Sequence, residues 1–572
     1  MESSDSSINN SLEEKDLSAD CSSVNSHQAV ETQSQLIEND GILATNGEVD
    51  PNYPQVRRHA VPEFPQEYTM ETETGLVPLT TLDTIKSHNE SLHGVASRAS
   101  AKTMDVDREG RPEVEYVTFK HGDPENPHNW SRPYKWLVTL LASLLVLAAA
   151  FGSSIVTGGL GLIEEKYHVG EEVAILTCSI MVCGFAVGPL LWSPMSEQVG
   201  RRLTYAISLS LYVIFNIPCA LAPNIGALLA CRFICGMFAS SALVLPGGSI
   251  ADVWATEERG MAIAYFAAAP YCGPVLGPIV CGWINIGSGR LDLFFWVNMA
   301  FAGACSLAMV LLVPETYAPV ILKKRAKKLR KETGNESIMT EQEQDKMTLM
   351  DTIRACLIRP VYMMLTEPVL DLMNIYIMLI YSILYAFFFA YPVIFGELHG
   401  YNDGIIGLLF IPILIGAGFA MIVTPKLEKM YKKTTEKRAA TPEDRLIGAM
   451  IGAPFVPISL FILGATSFKD IIWVGPASSG IAFGFGMVLC YYSVNNYIID
   501  SYLEYAASAL AAKVFMRSGG GAAFPLFITQ MYHRLGDQWA SWLLAFISLG
   551  MVAIPFGFYR YGGVLRAKLT KS

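Results

Sequence analysis

From Lys135 onward, apolar runs of about 20 residues recur with few charges inside them. A helix rises 1.5 Å per residue, so roughly 20 residues cross a hydrocarbon core about 30 Å thick. The pattern therefore predicts twelve membrane-spanning helices, at 135–156, 173–192, 203–222, 226–247, 261–283, 292–313, 366–391, 404–424, 446–466, 471–495, 506–530 and 538–559. Ahead of them lies a Ser-, Glu- and Asn-rich stretch with no run long enough to cross a bilayer. It has too little apolar surface to offset its ordering entropy, which predicts a disordered tail to about Lys120. A short island, Phe64 to Met70 with Gly75 to Pro78, is either a docking segment or a linker.

Composition agrees, with 52% hydrophobic and 16% charged residues against roughly 25% charged in a soluble domain. Charge is distributed unevenly. Met1 to Pro133 holds 10 Lys/Arg and 24 Asp/Glu, leaving 32 Lys/Arg and 28 Asp/Glu after it, so the acidic balance belongs to the tail. No apolar segment follows a charged region near Met1, so the first span is expected to target the chain. Eleven cysteines, among them Cys178, Cys183, Cys219, Cys231 and Cys235, fall mostly within apolar runs without CxxC pairing. They read as small buried hydrophobes, and no metal site is expected.

Basic residues set the orientation. Glu315 to Pro360 holds ten Lys/Arg and Pro425 to Arg445 seven, whereas the alternate loops hold at most one each. Basic loops stay in the cytosol, which predicts both termini there. The sequons at Asn9, Asn89, Asn129 and Asn335 all fall on that side, so glycosylation is not expected. Six spans, a basic loop containing Lys323 to Lys331, and six further spans form the layout of two pseudo-symmetric halves around a central cavity. The domain reading is an acidic cytosolic tail (1–133), an N-terminal half (134–313), a basic central loop (314–365), a C-terminal half (366–560) and a cytosolic C-terminus (561–572). The basic run suits a solvated helix beside anionic lipid head groups.

Three patterns carry chemistry. The turn after the second span reads Ser193-Pro-Met-Ser-Glu197-Gln-Val-Gly200-Arg201-Arg202, where a glycine turn places a carboxylate beside two arginines as a conformational latch. The fourth span holds Leu228 and Arg232-Phe-Ile-Cys235-Gly236, an arginine that must face a cavity or a partner rather than lipid. The fifth holds Ala269-Pro-Tyr-Cys-Gly273-Pro274-Val-Leu-Gly277-Pro278, small residues for close helix contact and prolines that bend the span. These resemble the loop, arginine and antiporter signatures of the major facilitator superfamily, with Ser193, Glu197, Cys235, Ala269 and Pro278 as departures. With Gly122-Asp-Pro-Glu-Asn-Pro-His-Asn-Trp130, Pro314-Glu-Thr, Asn496 to Tyr502 and Phe515 to Ser518, the chain is similar to the fungal twelve-span drug:proton antiporters. Glu67 to Thr72, Leu291-Asp-Leu and Ala386 to Pro392 further resemble the yeast plasma-membrane polyamine exporters, the spermine exporters in particular.

The resemblance implies the all-α major facilitator fold, a plasma-membrane location and proton-coupled export by alternating access. It implies proton coupling at Arg232, an antiporter motif at Gly273, Pro274 and Gly277, and a latch at Glu197, Gly200, Arg201 and Arg202. A polycation needs carboxylates, aromatic faces and amide acceptors. Substrate-binding candidates are accordingly Glu367, Asp371, Tyr385, Asn496, Asp500, Glu504 and Arg517. Glu367 with Asp371, and Asp500 with Glu504, are spaced i, i+4 and equally suit interfacial charge or gating pairs. Many drug-antiporter relatives carry a glutamate in the seventh span where this chain has Phe389. The tyrosines of that span suit a cavity lining or packing. Lys513 and Arg517, also i, i+4, suit snorkelling, pairing with Asp500 or Glu504, or an anion site.

No phosphate-cradling GxxxxGK[ST] loop occurs, so the proton gradient is the expected energy source, without a cofactor and without enzymatic activity. Expected partners are the polycation, protons and the bilayer; kinases acting on the tail are a further one, and nucleic acid is not. Two alternatives stay open: an exporter of weak organic acids or antifungal drugs, if Arg232, Lys513 and Arg517 supply the binding charge, and a transporter-like sensor signalling through its tail.

Overall fold

The computed structural model describes residues 115–255, 258–340, 343, 349–438, 441–502 and 505–569. The tail reading over 1–114, including the island around Tyr68, lies outside the described residues.

Each of the twelve predicted spans is helical. After β1 (Glu115–Tyr116), the first half comprises α1 (Arg132–Ser154), α2 (Leu160–Tyr167), α3 (Glu171–Val187), α4 (Pro189–Val199), α5 (Arg201–Ala220), α6 (Ile225–Ala239), α7 (Ser241–Val253), α8 (Arg259–Ser288) and α9 (Asp292–Leu312). The connection carries α10 (Ala318–Thr333), β2 (Ile338–Met339) and α11 (Leu349–Thr366). The second half comprises α12 (Pro368–Tyr391), α13 (Asp403–Leu408), α14 (Ile411–Lys437), α15 (Ile447–Gly452), α16 (Phe455–Thr466), α17 (Val474–Ser501), α18 (Ala506–Ala523), α19 (Pro525–Leu535) and α20 (Asp537–Leu569).

Among the described residues, ten helices are long and apolar enough to cross a membrane, and α3 with α4, bent by 41°, forms an eleventh candidate. The remaining predicted span, the eleventh along the chain (α18 with α19), is less apolar because alanines, glycines, Lys513 and Arg517 occupy it. Prolines at the first position of α4 and α19 account for their breaks, since proline withholds an amide from the preceding turn.

The same chemistry explains the antiporter-type motif. In α8, Pro270, Pro274 and Pro278 recur every four residues. The Pro274 carbonyl would bond the amide of residue 278, but proline there has none. Ser154 Oγ of α1 donates to that carbonyl instead, at 2.6 Å. Gly277 faces the same serine, and a Cβ on Gly273 would lie 2.7 Å from the Ala150 Cβ. The two glycines therefore let α1 close on α8 where the ladder is broken.

The end bearing α10 is here called the basic end. At the opposite end the halves meet backbone to backbone, Gly282 against the Asp403 carbonyl and Gly407 against that of Pro278. Asn285 Nδ2 donates to Asp403 Oδ2 at 2.7 Å, and Gln530 Nε2 to Glu172 Oε1 at 3.1 Å. At the basic end a Cβ on Gly260 would meet the Glu428 carboxyl at 2.7 Å.

The last part of the acidic segment, from Glu115, is held on the connection. β1 pairs in parallel with β2, and Arg325 of α10 binds Asp123 at 2.6 Å and Glu125 at 2.7 Å beside the Phe119 ring. Arg330 binds Glu343 at 2.7 Å, while Lys323, Lys324, Lys327, Lys328 and Lys331 remain exposed.

Ser154→Ala strands the Pro274 carbonyl and should destabilise the fold by about 1–3 kcal/mol. Thermal unfolding in detergent checks this against Ser143→Ala, whose hydroxyl bonds only the Thr139 carbonyl of its own helix. The strap gives a pH prediction. The Arg325 hydrogen bonds hold the Asp123 carboxyl below its ordinary range. Its contribution is thus complete above the unfolded value and is lost only as pH falls through the lower folded one, below about pH 4. Hydrogen exchange of the Val117 amide, bonded to Met339 O at 3.1 Å, should be protected to the same degree from pH 8 to 5, whereas Asp123→Asn should weaken that protection throughout.

Candidate functional site

Gly200 turns between α4 and α5 at φ +100°, a conformation side chains rarely adopt. The Arg201 and Arg202 amides that follow donate to the Glu315 carboxylate at 2.8 and 3.2 Å, an anion seated on the N-terminus of α5. Arg201 then pairs with Asp252 at the end of α7 (3.2 Å), donates to Ser196 Oγ (2.6 Å) and lies over the Tyr317 ring. Glu197 contributes to the field at Arg201. Arg202 instead donates to the Val310 carbonyl at the end of α9. The predicted latch residues are thus at one place, with Asp252 and Glu315 as members that the local pattern does not indicate.

The second half repeats the plan. Arg445, leading into α15, donates to Glu428 Oε1 of α14 at 3.0 Å and to Asp500 Oδ2 at the end of α17 at 2.8 Å. Its guanidinium centre lies 3.5 Å from the Tyr431 ring centroid, and Tyr492 donates to Glu428. Arg201 with Asp252 and Arg445 with Asp500 occupy corresponding helix ends of the two halves. Asp500, a candidate for substrate, is here the acid of an ion pair.

Arg232 is 1% exposed. Its Nε donates to Thr177 O at 3.0 Å, Nη1 to Gly152 O at 2.8 Å and Nη2 to Ser153 O at 3.0 Å. The cation therefore caps the last turn of α1, where main-chain carbonyls lack amide partners, and ties it to α3. Each hydrogen bond to a charged group contributes roughly 1.5–3 kcal/mol, which offsets burial of the guanidinium without a carboxylate.

The capped turn reaches the other half. Ser153 Oγ and Tyr385 Oη of α12 lie 2.6 Å apart, and Tyr385 Oη is 3.4 Å from Tyr381 Oη. The Arg517 guanidinium lies over the rings of Tyr381 (4.6 Å) and Tyr491 (5.8 Å), and the Lys513 ammonium over Tyr491 (4.7 Å). Tyr271 of α8 packs edge-on against Tyr491 and Tyr381. Lys513 Nζ donates to Asn495 Oδ1, and the Arg517 Nε has no hydrogen-bond partner among the described residues. Gly521 admits the layer, since a Cβ there would lie 2.8 Å from the Tyr381 ring. No carboxylate among the described residues is within ion-pairing distance of Lys513 or Arg517. Their π faces and amide oxygen suit a cation, and a cation–π contact contributes up to about 2 kcal/mol when desolvated.

The remaining candidates sit apart from this layer. Glu367, 3% exposed, precedes α12 at the basic end and accepts from Tyr502 Oη at 3.5 Å. Asp371, one turn on, has a buried Oδ1 without a hydrogen-bond partner among the described residues. Asn496 donates to the Tyr492 carbonyl of its own helix. Glu504 lies outside the described residues. Tyr271, Tyr491 and Asn495, which with Lys513 build the layer, are missing from the sequence-derived candidates. The advance signals are Lys513 and Arg517 sharing one face of an apolar helix and the tyrosines of the seventh span, of which Tyr381 and Tyr385 join the layer.

Residues 142–525 match the family described as Major Facilitator Superfamily. The chain is 58% identical to the "Multidrug transporter TPO3" of Candida glabrata, covering 91% of this chain and 87% of that protein. It is 55% identical to "Polyamine transporter 3" of Saccharomyces cerevisiae, over 91% of this chain and 88% of the relative, and 54% identical to "Polyamine transporter 2", over 93% and 90%. Among solved structures it resembles the human organic anion transporter MFSD10, with a TM-score of 0.53 at 16% identity over 75% of this chain and all of that one. The partially occluded inward-open xylose transporter XylE of E. coli gives a TM-score of 0.52 at 16% identity, over 74% and 99%. These two likenesses concern the fold alone.

If Arg445 and Asp500 form a latch, their neutralisations are coupled. A double-mutant cycle of Arg445→Gln and Asp500→Asn, read by thermal unfolding, should return an interaction of about 1–3 kcal/mol. A near-zero coupling would release Asp500 for a role in substrate binding.

Proposed function

The chain belongs to the major facilitator superfamily, and from that premise we propose that it is a proton-coupled exporter carrying polyamines, spermine above all, out of the cytosol. The observation that carries this reading is the 55 and 54% identity, over nine-tenths of the chain, to two transporters named for polyamines. In this reading the basic end is cytosolic, which the clustering of Lys and Arg in its loops supports, and the chain resides in the plasma membrane with both termini inside. The two halves rock about the tyrosine layer, and the latches at the basic end release when the cytosolic side opens. Glu367 and Asp371 lie on the cytosolic approach and draw the polycation in. The tyrosine faces and the Asn495 amide receive its ammonium groups. No cofactor takes part, and the proton gradient supplies the energy.

A specific observation favours a second reading. Arg232, Lys513 and Arg517 are each at most 2% exposed and none has a carboxylate partner among the described residues. Such a layer also suits export of an organic acid, whose carboxylate would bridge the cations.

Transport in inside-out membrane vesicles separates the two. Under an imposed pH gradient, labelled spermine should accumulate, unlabelled spermine should compete, and benzoate should not; the reverse pattern establishes the anion reading. In the same assay Arg232→Ala should reduce gradient-driven flux at least tenfold while the protein still reaches the membrane, because uncapping α1 frees the Ser153 to Tyr385 contact. Loss of surface delivery instead would make Arg232 a packing residue.

A further inference from the structure

Two of the chain's own cations already occupy the surfaces that an ammonium substrate would seek. Lys513 lies over the Tyr491 ring at 4.7 Å and donates to Asn495 Oδ1, which is how one terminal amine of a polyamine would be held. Arg517, one turn along α18, covers Tyr381 and leaves Nε without a partner among the described residues. Lys513 is 2% exposed and Arg517 1%, so these contacts lie inside the protein, between the halves.

We propose that Tyr491 and Asn495 form an amine subsite for which protonated Lys513 and the substrate's ammonium compete, so that Lys513 is the group that exchanges a proton for substrate. This rests on the polyamine reading above. The groups around Lys513 are Arg517 on its own helix, Tyr491 and Asn495 on α17, and Tyr271 on α8. Tyr381 and Tyr385 on α12, bordered by Cys178 on α3, complete the layer. None of these is a carboxylate, so a second ammonium entering the layer would face two uncompensated cations.

Loading therefore requires one positive charge to leave. Arginine keeps its charge at physiological pH, whereas a buried lysine is able to trade its proton. On the loading side an Nζ–H bond of Lys513 breaks, the electron pair stays on Nζ, the proton passes to water, and the ammonium takes the Tyr491 face. After substrate leaves on the far side, Nζ takes a proton from water there and returns to Asn495. The layer's charge is the same before and after each exchange, one proton for one ammonium bound. Coupling arises without a membrane-buried acid, consistent with Phe389 in the seventh span.

The test uses the full-length protein in nanodiscs, with labelled spermine binding measured from pH 5.5 to 8.5 and proton release followed in weak buffer. The wild type should bind spermine at least tenfold more tightly at the high end and release protons on binding. Lys513→Gln should bind with the high-pH affinity at every pH and release none. Lys513→Arg, permanently charged, should bind at least tenfold more weakly than Lys513→Gln throughout. Tyr491→Phe should retain binding and Tyr491→Leu should lose it, a comparison that stands even if the Lys513 variants fail to fold. Wild-type pH dependence and proton release in a folded Lys513→Gln, or full binding by Tyr491→Leu, would overturn the proposal while leaving spermine a substrate. A wild type that binds no spermine at any pH but binds benzoate overturns the polyamine reading itself, and this inference with it.

Discussion

The grip of Arg232 on three main-chain carbonyls is the interaction on which the centre of the molecule depends. A guanidinium placed among apolar helices must be satisfied where it lies, and two carbonyls at the end of α1 with that of Thr177 in α3 supply oxygens without adding charge. That capping fixes where α1 stops, hence where the Ser153 hydroxyl stands and whether Tyr385 of the other half can reach it. Through Tyr381 the same contact extends to Arg517. A single buried cation in the first half is thereby connected, through one serine and two tyrosines, to Arg517 of the second, and through Tyr491 to Lys513.

Much of the fold was legible in the sequence because each span is a local property: a run of apolar residues of bilayer length, ended by charge. The latch and antiporter motifs were legible for a similar reason, since a glycine turn or a small-residue stripe must be spelled out in consecutive positions. What escaped were partners supplied by distant segments. Nothing near Asp500 announces Arg445, 55 residues earlier, and nothing near Arg201 announces Glu315. Burial also hides specificity, because Tyr271 and Tyr491 read like ordinary aromatic residues of a membrane helix until α8, α12, α17 and α18 converge.

The two basic-end clusters show how a repeated architecture distributes control. Each places an arginine at the start of one helix against an acid at the end of the next, with an aromatic face beneath the guanidinium. They differ in what completes them. The first recruits Glu315 from the connection between the halves, while the second adds Glu428, whose carboxyl also abuts Gly260 of the first half. Movement at the basic end is therefore felt by both clusters, directly at Glu428 and through the connection at Glu315.

The glycine seam at the opposite end bears on insulation. A transporter that couples two fluxes must deny ions any continuous file of water, and side chains that flex open are poor stoppers. Where Gly282 lies on the Asp403 carbonyl and Gly407 on that of Pro278, main chain abuts main chain, leaving little for a rotamer change to open. Hydration of that barrier requires parting two helices, a collective and slower event than the flip of a residue. The seam thus puts a ceiling on leakage through that end, set by how seldom the two helices part rather than by how often a side chain turns.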